Sequence, residues 1–113
     1  MAVEEEREIF GFLGDLVKAT AAGEVNWEQT GPETFEVDTS SGGIRVQSLS
    51  EQDHPFVVQI FDEEGRLIYE LRTEVAPFYN EPEVLAASLF AAARSSIYDV
   101  GGTIQRIRHN LGL

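Results

Sequence analysis

The sequence predicts an α+β domain: an antiparallel β-meander of four to five strands flanked by an N-terminal helix and a long C-terminal helix, kinked or divided near its glycines. Three observations carry this. Apolar residues recur at three- and four-residue spacing at both ends of the chain, they alternate in the middle third, and short turn segments separate the alternating runs. The 113 residues suit one domain, spanning 1–113, because domains cluster near ~100–150 residues.

The first helix is expected from about residue 3 to 21. Ile9, Phe12, Leu13, Leu16, Val17 and Thr20 form its stripe, and Glu4, Glu5, Glu6 and Glu8 occupy the first turns, where the helix dipole favours negative charge. Gly23 follows the last periodic residue, where helices commonly stop in a left-handed conformation. Gly11 and Gly14 weaken the helix by about 1 kcal/mol each relative to alanine, and allow close approach of a neighbour.

The two-residue period begins with Val25 and Trp27. It continues through Phe35 and Val37, then Ile44 and Val46, with turns at Thr30-Gly31-Pro32-Glu33 and Ser40-Ser41-Gly42-Gly43. After the loop Ser50 to Pro55 come Phe56-Val57-Val58-Gln59-Ile60-Phe61, the turn Asp62-Glu63-Glu64-Gly65, and a last strand from Arg66 to Thr73. Short turns join antiparallel neighbours, hence a meander. The Phe56–Phe61 run is apolar on both faces and is expected in a central position.

Asn80 as N-cap, Pro82 in the first turn and Glu83 three residues after the cap open the C-terminal helix. Leu85, Leu89, Ala92, Ala93 and Ile97 carry its period. Asp99 and Gly101-Gly102 interrupt it, and Val100, Ile104, Ile107 and Leu111 restart a clean stripe. Glycine pairs are common kink points, so either one helix bends there or two meet.

Twenty acidic residues against eight basic ones give a net charge of −12, and Lys18 is the only lysine. Nucleic-acid binding at physiological salt depends on clustered cations, so DNA, RNA and anionic lipid are not expected as direct partners. From residue 82 onwards three arginines face two acids, a local net of +1 that leaves −13 on residues 1–81. This asymmetry offers a handle for head-to-tail self-association. Arginine outnumbers lysine seven to one, which suggests a GC-rich genome.

There is no cysteine, which removes disulfides, thiolate metal sites and a cysteine nucleophile. The opening Met-Ala-Val-Glu-Glu-Glu-Arg-Glu reads as neither a secretory signal nor a transit peptide. No stretch approaches the ~18 apolar residues of a membrane span. A cytoplasmic protein is expected.

The chemical inventory is thin. His54, beside Asp53 and near Glu51, reads as loop content rather than a metal or base site, and His109 as a helix-end cation. Asp62-Glu63-Glu64-Gly65 is a hairpin turn rather than a calcium loop, and neither glycine pair forms a phosphate-binding motif. No catalytic, metal or cofactor residue is assigned, and an enzyme is not expected. Candidate interaction residues are the aromatics: Trp27, read first as a core or sheet–helix contact and otherwise as an exposed anchor; Phe78 and Tyr79 beside Pro77, an anchor or more simply the cover of the sheet end; and Phe10 and Phe90, which lie off the stripes of their helices and would mark a docking or dimer face if exposed.

The order of helix, tryptophan-bearing strand, meander and long helix, carried by Asn26-Trp27, Phe56 to Asp62, Glu64-Gly65-Arg66 and Leu89 to Arg94, resembles small bacterial proteins without an assigned activity. It is also similar to the specialised chaperones of bacterial type III secretion, though it lacks a helix midway through the strands. That second resemblance implies a dimer holding a client in extended form. The reading from the residues is a non-enzymatic protein-interaction module or adaptor, dimeric, with an unidentified protein partner. Two alternatives stand beside it: an acidic inhibitor imitating nucleic acid, and a secretion-chaperone-like protein.

Overall fold

The computed structural model describes residues 3–73 and 81–113. The elements in chain order are α1 (Val3–Ala21), β1 (Glu28–Gly31), β2 (Thr34–Thr39), β3 (Gly42–Ser50), β4 (Asp53–Asp62), β5 (Leu67–Arg72), α2 (Glu81–Tyr98) and α3 (Val100–Leu111). The five strands form one antiparallel sheet in the order β1-β2-β3-β4-β5. This is the α+β meander that the sequence predicts.

Alternation decides which sheet face becomes core. Phe35 pairs with Val46, Val46 with Val58, Ile44 with Ile60, and Val58 with Leu71. These residues therefore share one face, and α2 lies across it. The other face carries Glu36, Arg45, Gln59 and Glu70 in a row, joined by the Arg45–Glu36 ion pair at 3.3 Å and by hydrogen bonds from Arg45 to Gln59 and from Gln59 to Glu70. The Phe56–Phe61 run falls in β4, an interior strand with Val57 and Val58 both buried, in keeping with its two apolar faces.

α1 packs on α2 rather than flat on the sheet. It ends as its sequence indicates. Gly23 adopts φ +77°, its N–H bonds to the Thr20 carbonyl and that of Glu24 to the Ala19 carbonyl, the left-handed closure that glycine permits most readily. A Cβ added at Gly14 would come 4.0 Å from Leu85 Cδ2 of α2, whereas one added at Gly11 would meet nothing within 4 Å.

Three expectations are corrected. The first strand starts at Glu28, after Trp27; Trp27 instead turns into the core and donates its indole N–H to Thr20 Oγ1 at 3.0 Å. Phe90 is 2 % exposed, with ring centroids 5.5 Å from Phe35 and 5.2 Å from Phe56. α2 is covered by the sheet on one side and by α1 on the other, so its apolar surface is wider than one stripe. Phe10 is half-buried against the core, while Phe12 is 45 % exposed. Leu13 and Thr20 are the buried positions of the stripe, and at about 100° per residue Phe10 and Phe12 flank them on opposite sides. Phe78 and Tyr79, with the expected cap Asn80, lie outside the described residues.

Two helices, not one bent helix, close the chain, and the break is at Asp99 rather than at the glycine pair. Asp99 is left-handed (φ 46°, ψ 55°). Its N–H closes α2 on Ser95, its carbonyl accepts the first bond of α3 from Thr103, and its carboxylate accepts from the Gly102 N–H at 3.2 Å. A Cβ on Gly102 would collide with that carboxylate. The second glycine is thus what lets the acid cap the helix.

Candidate functional site

α3 is amphipathic, and no residue of it is buried. Its stripe of Val100, Ile104, Ile107 and Leu111 remains 47, 50, 51 and 67 % exposed. Burying such side chains is worth roughly 1.5–3 kcal/mol each, so this helix leaves stabilisation unrealised. The dimensions agree. The radius of gyration is 15.5 Å, against about 13 Å for a compact chain of this length. The accessible surface is 7529 Å², against roughly 6,200 Å² for a compact monomer of this mass. From Val100 onwards the chain carries Arg106, Arg108 and His109 and no acid.

A groove of about 690 Å³ opens between the C-terminal half of α1 and the end of the sheet that α2 leaves uncovered. Its apolar lining comes from Phe12, Leu16, Val37, Ile44, Ile60 and Ile68. A register shift between Ile60 and Phe61 against β5 is the kind of bulge that re-aims a side chain, and Ile68 at this point is 63 % exposed. Glu24, Asp38 and Asp62 stand among the lining residues, with no lysine or arginine. The Asp62 carboxyl is held below its ordinary value chiefly by the Arg66 backbone N–H, against some desolvation, and further by the Arg66 guanidinium and the Glu64 N–H. It is therefore a firm anion at neutral pH. Burial, with the Glu6 charge second, pushes the Tyr69 hydroxyl above its ordinary value.

The expected loop residues take structural parts. His54 Nδ1 meets the Thr73 hydroxyl at 2.9 Å and its ring lies edge-on to Phe56. The Asp53 carboxylate accepts from the His54 backbone N–H at 2.7 Å. Thr73 also accepts from the Phe56 N–H at 2.8 Å, so this cluster ties the start of β4 to the end of β5. Among the described residues no group of three or more His, Asp or Glu is placed to hold a metal ion, and no helix is long and apolar enough to cross a membrane.

Of the aromatics singled out in the sequence, Trp27 and Phe90 are core residues and Phe10 packs against the core. The sequence pattern did carry α3's stripe, as the end of a bent helix or as a second helix, but not as a free face. The groove was not legible, because its lining residues come from six separate segments that no local pattern joins. Comparison with family models, with characterised proteins and with solved structures returned no match for this chain.

Proposed function

We propose that this chain is a non-enzymatic protein-interaction module of the cytoplasm that docks through α3. The observation that supports it is the exposed stripe Val100, Ile104, Ile107 and Leu111 on a helix without one buried residue. Contiguous exposed apolar surface marks binding faces, and an amphipathic helix laid into an apolar groove is a recurring recognition mode. The acidic-mimic alternative is less well supported, because the outer sheet face mixes Arg45 with Glu36 and Glu70 rather than presenting an unbroken anionic surface.

The test is capture of partners from the source cell by the full chain and by Ile107→Asp. The variant should lose the bound protein, while the diluted chain unfolds at an unchanged temperature. Undiminished binding by Ile107→Asp would remove the docking role from α3.

A further inference from the structure

The groove and α3 complement one another in form and in charge. The stripe from Val100 to Leu111 runs about 16 Å at 1.5 Å per residue, and a groove with an apolar floor offers it a seat. The helix brings Arg106, Arg108 and His109, with the Asp99 carboxylate 3.8 Å from Arg106; the groove brings Glu24, Asp38 and Asp62, the last of them paired with Arg66 at 2.8 Å. Within one chain the two features remain separate, since the groove is open and no residue of α3 is buried. Pairing α3 against a second α3 would instead set four arginines together with only the two Asp99 carboxylates beside them, an arrangement that like-charge repulsion opposes. The surface area is also sufficient. The chain exposes 7529 Å², roughly 1,300 Å² beyond a compact monomer, whereas a standard interface covers about 800 Å² per partner.

We propose that the chain forms a closed two-fold dimer in which α3 of each copy lies in the α1–sheet groove of the other. This rests on reading α3 as the docking element and names its occupant. Two identical, reciprocal contacts close the assembly, as two-fold symmetry requires, and the charge complementarity makes it weaken as salt rises.

Light scattering with sedimentation tests this on the full chain. The native protein is expected at twice its 12.5 kDa mass. Ile107→Asp on the helix and Phe12→Asp in the groove should each raise the dissociation constant by at least about 30-fold for each of the two reciprocal contacts, since the symmetric dimer loses a buried anchor at both. Ile68→Asp, on a residue 63 % exposed, is a second groove variant should Phe12→Asp fail to fold. Mixing the helix variant with a groove variant should restore association, because one intact helix still meets one intact groove. If the groove variants dimerise like the native chain while Ile107→Asp is monomeric, the groove assignment is overturned and the docking helix stands. A native chain that is monomeric, or a ladder of larger oligomers, overturns the closed dimer; capture by Ile107→Asp separately decides the docking role.

Discussion

α2 and α3 are consecutive helices separated by a single residue, Asp99, yet their apolar residues meet different fates. α2 is alanine-rich with a diffuse pattern, and Ala86, Leu89, Phe90 and Ala93 are all buried between the sheet and α1. α3 has the cleaner stripe and buries nothing. Periodicity reports that a face needs a partner. It does not report whether that partner belongs to the same chain.

The largest expected effect separates the two helices by stability. Phe90→Ala removes a ring held between Phe35 and Phe56 and should cost about 3–5 kcal/mol in denaturant unfolding, the range for deleting a buried aromatic. Ile104→Ala on α3 should change the unfolding free energy of the diluted chain by less than about 0.5 kcal/mol, as surface substitutions do. Equal losses at both positions would break the contrast.

Asp99→Ala should act on α3 alone. It removes a cap worth about 1 kcal/mol and places alanine in a left-handed conformation at a cost of roughly 1–2 kcal/mol. Circular dichroism should show lost helicity, and near-ultraviolet spectra should keep the core signal. Trp27→Phe should lower global stability by about 1–2 kcal/mol, because it leaves the buried Thr20 hydroxyl without its indole donor.

The smallest effect lies at the groove rim. A carboxyl held low in the folded state contributes stability above its unfolded value near 3.8 and loses it as pH falls towards the folded one. Asp62→Asn should therefore be less stable than the native chain at neutral pH. The gap should narrow as the medium is acidified below about pH 4. A gap independent of pH would mean that Asp62 acts through turn geometry and not through its charge.

Much of the fold was legible because local chemistry and tertiary packing agree. The Asp62–Gly65 turn is closed by the Gly65 N–H on the Asp62 carbonyl, the helix stop at Gly23 has its left-handed glycine, and the strand pairs follow the alternation. Where two elements compete for one residue, the sequence was silent. Trp27 alternates like a strand residue, yet its indole is drawn to Thr20. Phe90 looked surplus because the wheel of α2 was read with one covered face, and α1 supplies a second. The glycine pair looked like the hinge, whereas Asp99 breaks the helix and Gly102 only makes room for its carboxylate. For the groove, no local pattern joins Phe12 to Ile68.

Whether α3 is covered by a second copy is tested most directly by backbone hydrogen exchange measured across a dilution series. Amides of α3 should be protected in concentrated solution and exchange freely once diluted, while those of α2 stay protected throughout. Slow exchange in α3 that ignores concentration would mean that the helix packs on its own body; fast exchange at every concentration would mean that no second copy holds it.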